Sequence, residues 1–472
     1  MQESRAVHRS FWLEEALAAD EGGPAAALTG DRRADVCIVG GGYTGLWTAL
    51  RVKELEPGCD VAIVEADICG GGASGRNGGF LTTWWSKLGR LIKACGEDEG
   101  LRIACASEEA VNAIEAFCSE NGVDAHFRRG GWLWVATAPA HVGIWESAIA
   151  ECERHGVHEL VPLTPDELHE HIDQPTHLGG AFEPRTATVH PAHLVRGLRR
   201  VALERGVRIY ENSPMLGLRR TGAPRVRTPD GEITAGSVAL ALNAWGAAIP
   251  ELSRAIVPVT SDVVATAPDQ ALLERLRWTH AEAIADARLM VHYYQATPDG
   301  RIIFGKGGGT LAYHGRIGQG FHHDPRRAAW VTEHMHRILP ATAGAPITHS
   351  WAGPVARTDD GLPIFGHLSD KVVHGGGYSG NGVGPTWIGG RILASLALGR
   401  DDEWSNAGLV RAPGRAFPPE PVRYLGGRVV REAVRRMEES EDRGEKPGRL
   451  VTALAGFAPA GYARGGGRRR RT

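Results

Sequence analysis

Gly40, Gly42 and Gly45, three of the four glycines in Gly40-Gly41-Gly42-Tyr43-Thr44-Gly45, stand where backbone alone could grip a pair of phosphates. The segment directly follows the apolar run Val36-Cys37-Ile38-Val39 and opens a stretch with helical apolar spacing. Gly40 permits a tight turn, Gly42 lets the backbone approach a pyrophosphate, and Gly45 lets the helix pack closely on the strand. Tyr43 and Thr44 belong to the same binding segment. A second strand, 61–64, ends on Glu65, 20 residues after Gly45, with Ala66 beside it. A carboxylate there accepts hydrogen bonds from a ribose 2′-OH and disfavours a 2′-phosphate. The chemistry indicated is dinucleotide binding.

The same glycine pattern recurs from Gly375 to Gly380, but no strand with a terminal acid follows it. It is therefore not a second dinucleotide site. Between Glu65 and residue 80 lies Gly70-Gly71-Gly72-Ala73-Ser74-Gly75-Arg76-Asn77-Gly78-Gly79, too rich in glycine for a helix or strand interior.

The elements that must hold these segments can be read from periodicity. A helix follows Gly45, and from Leu88 to Ser119 helical spacing puts Ile103, Ala110, Ile114 and Phe117 on one face. Residues 132–135 read as a strand whose Trp pair is assigned to the core. Thr164 and Pro165 start a helix as N-cap and first residue, and Pro191 to Glu204 is a further helix leading into a strand at 207–210. Thr228-Pro229-Asp230-Gly231 is a hairpin turn, and 237–242 is an apolar strand suited to a parallel sheet covered on both faces. Residues 256–266, 289–295 and 301–305 suggest a second, antiparallel sheet. A late helix runs to about Leu398.

The expected fold class is α/β: a Rossmann-like nucleotide domain with a parallel sheet, interrupted by a mixed α+β substrate domain on an antiparallel sheet. The expected division is an irregular leader over 1–34, a discontinuous nucleotide domain over 35–90, 180–250 and 345–400, and a substrate domain over 91–179 and 251–344. A C-terminal helical extension (401–445) and a tail with a basic end (446–472) complete it. At 472 residues two domains are the natural expectation.

Net charge is −2, so no global field points to nucleic acid or a membrane. The seven cysteines are odd in number and lack metal or redox spacing, which reads as reduced thiols of a cytoplasmic protein. His190 with His193, and His322 with His323, lack a third ligand in sequence, so no metal is expected. The four terminal arginines read as a solvated end, and no motif fixes an oligomeric state.

Taken in order, Ala73–Gly79, Asn243-Ala244-Trp245, Trp351-Ala352-Gly353-Pro354 with Asp360-Gly361-Leu362-Pro363, and Gly380-Asn381-Gly382-Val383 resemble the D-amino-acid-oxidase-like FAD-dependent oxidoreductases. The nearest branch is the bacterial one with gamma-glutamylputrescine oxidase and glycine or sarcosine oxidases. The resemblance implies FAD, with Ala73, Ser74, Arg76, Asn77, Gly78 and Gly79 wrapping the flavin through backbone N–H groups. It also implies a backbone contact to adenine at Met215, and Asn243, Ala244 and Trp245 beside the pyrophosphate and ring. Gly377, Gly380, Asn381, Gly382 and Val383 would set a helix N-terminus at the flavin N1–C2=O edge, where the dipole favours a reduced, negative ring.

No cysteine follows residue 152, so the FAD is expected to be noncovalent. Positions where relatives carry a carboxylate-binding Lys or Arg hold Gly384-Pro385 and Gln295-Ala296. An amine, or an amino acid held by its far end, therefore fits better than a simple α-amino acid, although Arg288, Lys306 or Arg357 could supply a cation. Lys306 is a candidate to assist oxygen reduction at the flavin, and one of Tyr293 and Tyr294 is expected to face the pocket, since neighbours in a strand alternate. Trp351 is placed either beside the flavin or in the core, and Arg76 is read as an anchor of its loop. The activity implied is oxidation of an amine or amino acid with O2 as acceptor. The alternatives are a dehydrogenase using a quinone or carrier, an NAD(P)H-dependent hydroxylase or reductase, and a non-catalytic nucleotide-binding subunit.

Overall fold

Burial on both faces turns the apolar runs into the centre of a parallel sheet. The computed structural model describes residues 8–20 and 22–459. In its first eight-stranded sheet, Gly30–Val39 lies between Gly231–Leu240 and Val61–Val64 and runs parallel to both. Arg208–Tyr210 extends one side, and Val372–Gly376 then Ile364–Ser369 extend the other. Arg225–Arg227 and Gly217–Arg219 add an antiparallel flap. The helices Tyr43–Leu55, Pro191–Glu204 and Pro385–Ala397 cover this sheet with buried apolar faces.

The second sheet also has eight strands, in the order Ile347–Arg357, Val257–Thr266, Ile302–Lys306, His292–Ala296, Ala283–Asp286, Trp132–Val135, Gly180–Glu183 and Val161–Leu163. Its pairings are antiparallel except for Ala283–Asp286 against Trp132–Val135, which is parallel. The expected boundaries therefore shift. Ile347–Arg357 pairs along its whole length with Val257–Thr266 and belongs to this sheet, as does Gly180–Glu183, although both fell within stretches assigned to the nucleotide domain.

Two local expectations are also corrected, and the helical stretch from Leu88 is resolved into its parts. The leader is not irregular throughout: Phe11–Ala18 is a helix capped by Ser10, and the first strand starts at Gly30. The helical pattern from Leu88 is two helices, Leu88–Cys95 and Glu97–Glu120, broken at Gly96, whose φ of 89° no L-residue adopts comfortably. The C-terminal extension holds one long helix, Val422–Asp442, and the stretch assigned as tail contains a second, Arg449–Ala455. The terminal arginines lie outside the described residues. No helix is long and apolar enough to cross a membrane among those described.

Candidate active site

A cleft of about 590 Å³ opens between the two sheets. At one end the first strand turns sharply into its helix through Gly40, with φ 112°. A Cβ at Gly45 would sit 1.9 Å from Gly40 O, so only glycine allows that approach. Glu65, at the end of the neighbouring strand, accepts from the N–H of Gly41 at 2.7 Å and of Asp67 at 3.0 Å, and burial pushes its carboxyl above the usual range. Gly40, Gly42, Tyr43, Thr44, Glu65, Ala66 and Met215 all line this end. Gly45 does not line it, in keeping with a packing role.

The glycine-rich loop forms the floor. Ala73, Ser74, Arg76, Asn77 and Gly78 line the cleft, and Ser74 Oγ accepts from Tyr43 N–H at 2.9 Å, tying loop to turn. Arg76 and Gly79, expected to offer their N–H groups to the flavin, donate them instead to Ala73 O and Asn77 Oδ1, as Gly75 does to Gly70 O. Gly79 lies behind the cleft wall, where a Cβ would meet Val189 O at 2.2 Å. The Arg76 guanidinium binds the carbonyls of Gly71, Ala352 and His8, and burial lowers its pKa to about 10. It anchors the loop. Trp12 and Trp351 add clamps from outside, their indole N–H groups donating to Asn77 O at 3.0 Å and Arg76 O at 2.8 Å. Trp351 is thus a core and clamping residue absent from the cleft lining.

Asn243, Trp245 and the run Gly380-Asn381-Gly382-Val383, just ahead of the Pro385–Ala397 helix, line the cleft as well. Ala244 is buried behind Asn243, and Gly377 uses its N–H on Asn243 Oδ1 at 3.1 Å rather than facing the cleft. Gly380 has φ 96°, and a Cβ there would meet only Val355 Cγ1 at 3.7 Å, leaving its backbone open to the cleft.

The second sheet closes the site with Trp132, Val259, Ala285, Val291 and Tyr293. Tyr293 Oη lies 2.8 Å from Ser261 Oγ, and burial raises its pKa, keeping the hydroxyl neutral. Two catalytic candidates lie elsewhere. Tyr294 points into the core of its own sheet, where Oη lies 2.6 Å from His177 Nε2 and the ring stacks on Phe304. Lys306 ends its strand buried on that same side, with Nζ donating to Met290 O and His292 Nε2, both at 3.1 Å, above the Trp330 ring. Burial lowers the Lys306 pKa to about 8 and that of His292 to about 3. Arg288 joins this cluster through Asp286 and Asp442, so of the three alternative cations only Arg357 lines the cleft.

Whether a flavin dinucleotide suits this cavity is decided by Asn381. Its Oδ1 and Nδ2 are both buried at the cleft wall with no hydrogen-bond partner among the described residues. A buried amide with neither end paired is costly, and a ligand offering an acceptor and a donor relieves it. Glu65, on the same cleft lining, suits the hydroxyls of such a molecule.

The family profile described as FAD dependent oxidoreductase, DAO, matches residues 35–396. The chain belongs to this family. Gamma-glutamylputrescine oxidoreductase of Escherichia coli is 30% identical over 420 residues, spanning 88% of this chain and 93% of that protein. Sarcosine oxidase subunit beta from an Arthrobacter species is 28% identical over 343 residues, 70% of this chain and 78% of its own length. Glycine oxidase from Geobacillus kaustophilus shares the fold, with a TM-score of 0.65 at 21% identity over 81% of this chain and 100% of that one. FAD is accordingly the cofactor of this oxidoreductase, and Glu65, Asn381 and the glycine-lined walls are the groups of the cleft that fit it.

Three residues that the sequence did not assign to the cleft, Ser261, His322 and Trp132, the last expected in the core, line it from the second sheet and its flanking turn. Each lies outside a glycine motif. Trp132 and Trp134 are two apart in their strand and so share a face, with rings stacked at 5.5 Å, and nothing local showed that this face borders the cleft rather than the core.

Proposed function

We propose that this flavoenzyme oxidises the C–N bond of an amine, or of an amino acid held by its far end. The substrate carbon gives up a hydride and its nitrogen a proton. The resulting imine takes up water to form a carbonyl compound and ammonia or a smaller amine. The two electrons and two protons pass to O2 as H2O2. Noncovalent FAD supplies the two-electron acceptor.

The carrying observation is the wall of Trp132, Val259, Ala285, Val291 and Tyr293 facing the Gly380–Val383 segment. Such a surface excludes water and favours an amine in its neutral form, the form able to lose hydride. The Tyr293 and Ser261 hydroxyls can orient its nitrogen, since both donate and accept. No lysine lines the cleft among the described residues, and Arg76 is engaged by backbone carbonyls. A simple α-carboxylate has only Arg357 to meet it. Two relatives are named for nitrogen compounds, gamma-glutamylputrescine and sarcosine, which supports the reading. The seven cysteines are unpaired in the structure, in keeping with action in the cytoplasm.

The test is an aerobic panel of polyamines, N-methylated amines and amino acids, following O2 uptake, peroxide, and carbonyl product together. Equimolar peroxide and carbonyl product support an oxidase. Carbonyl product formed only when a quinone or dye is added contradicts O2 as the acceptor.

A further inference from the structure

The long C-terminal helix, Val422–Asp442, stands apart from the family match, which ends at residue 396. It does not merely cover the second sheet. A second cavity of about 360 Å³ lies beneath it, and Val259, Gly308 and Arg357 line both this chamber and the main cleft. The two spaces therefore abut at the substrate end, where the cleft wall is the second sheet.

The walls of the chamber are of two kinds. Val257, Leu289, Leu311, Val430 and Val434 make an apolar corridor. Around it stand Arg357, Arg415, Arg423 and Arg431 against a single acid, Asp359. Arg423 is neutralised by Glu420 at 2.7 Å. Arg431 is different: its Nε donates to Gly308 O at 2.6 Å, on the shared wall, and its guanidinium makes no ion pair among the described residues. Burial holds that guanidinium below its ordinary pKa. Glu432 and Asp262 act on its charge from a distance without pairing with it, and a half-buried cation with no directly paired acid is satisfied by an anionic ligand group.

We infer that the chamber receives the far end of an elongated amine substrate bearing a terminal carboxylate, and that Arg431 is the residue selecting that carboxylate. The methylene chain lies along the apolar corridor, and the amine end enters the cleft past Gly308. This rests on the amine-oxidation reading above. It explains how a cleft ill-suited to a simple α-amino acid takes a substrate with a negative charge, by placing the charge in a separate room built by a helix that the family match does not include.

The probes are ω-aminooctanoate and octylamine, a pair equal in chain length and differing in the carboxylate. Their affinities for the FAD-loaded enzyme are measured anaerobically by calorimetry while flavin absorbance is recorded. Wild type is expected to bind ω-aminooctanoate at least about tenfold more tightly, a preference falling to within about twofold in Arg431→Gln and partly restored in Arg431→Lys. In steady state the loss appears in KM rather than kcat. Equal binding of the two probes by wild type, binding of neither, or a preference that survives Arg431→Gln overturns the inference. A second variant acts without touching the charge. At Gly426, on the chamber wall, a Cβ meets no atom within 4 Å, so Gly426→Leu is accommodated without a clash and adds bulk at the edge of the corridor. It should weaken ω-aminooctanoate more than propylamine, and equal effects count against the chamber. Absence of bleaching with the binding preference intact contradicts amine oxidation and upholds the chamber.

Discussion

Tyr293 and Tyr294 are consecutive in one strand, yet their hydroxyls serve opposite sides of the second sheet. Tyr293 Oη is 2.8 Å from Ser261 Oγ at the cleft, and Tyr294 Oη is 2.6 Å from His177 Nε2 in the core. Phenylalanine at the two positions should therefore separate function from stability. Tyr293→Phe is expected to lower kcat/KM about threefold to tenfold with little change in unfolding, the effect of one neutral hydrogen bond. Tyr294→Phe leaves a buried imidazole unpaired and should cost about 1–3 kcal/mol in stability with near-normal kinetics. Denaturant unfolding and steady-state assays on both variants decide it; a kinetic defect confined to Tyr294→Phe would reverse the assignment.

Asn381→Ala should separate cofactor affinity from stability. Removing the amide takes away two buried atoms that have no partner without the flavin, so the apoprotein is expected to unfold no more easily than wild type. FAD affinity should fall by about tenfold or more, since the ligand loses its hydrogen bonds. Flavin titration of both apoproteins, followed by fluorescence, checks this; unchanged affinity removes Asn381 from the cofactor site.

Glu183 gives a pH dependence of defined sign. Burial raises its pKa from 4.5 to about 7, against opposing hydrogen bonds from Thr186 and Thr83. Because the folded value exceeds the unfolded one, its contribution is fully present below about 4.5 and is lost as pH rises through about 7. Glu183→Gln, whose amide can donate to the same two hydroxyls, should flatten that part of the profile. At pH 8 it should gain on the order of 2–3 kcal/mol relative to wild type. Stability curves for both proteins measured from acid to mildly alkaline pH test this, and parallel curves contradict it.

Lys306→Met should act on the fold rather than on oxygen chemistry. Nζ is bound to Met290 O and His292 Nε2 in a cluster with Asp286 and Arg288. Removing this cation leaves the buried acids less compensated, at a cost of about 3 kcal/mol or more. Stopped-flow reoxidation of the reduced enzyme by O2 is expected to stay within about threefold of wild type, the change allowed if no transition-state contact is lost. A drop of orders of magnitude there would return Lys306 to the reacting centre.

What was legible in the sequence follows the range of the interactions involved. The turn at Gly40–Gly45, Glu65 and the Pro191–Glu204 helix are specified by neighbours in the chain, and they stand where local rules put them. The same glycine pattern near residue 377 was legible as a cleft segment only through its company in the chain. Long-range choices were not. Trp12 meets Asn77 across 65 residues and Trp351 meets Arg76 across 275, and no periodicity encodes such partners. Of the strand Ile347–Arg357 only the motif Trp351–Pro354 was legible, because its pairing with Val257–Thr266 joins distant parts of the chain. Lys306 shows the limit of composition: glycines beside a lysine suggest an approach, while the strand's alternation sends the side chain to the other face.

The most direct measurement is anaerobic titration of the purified flavoprotein with amines, reading the flavin absorbance, with NADH and NADPH as parallel reductants. The account predicts a yellow protein whose colour is bleached by an amine and not by either nicotinamide, and whose flavin is released in full on acid precipitation. A protein that takes up no FAD, or one bleached by a nicotinamide and by no amine, contradicts it.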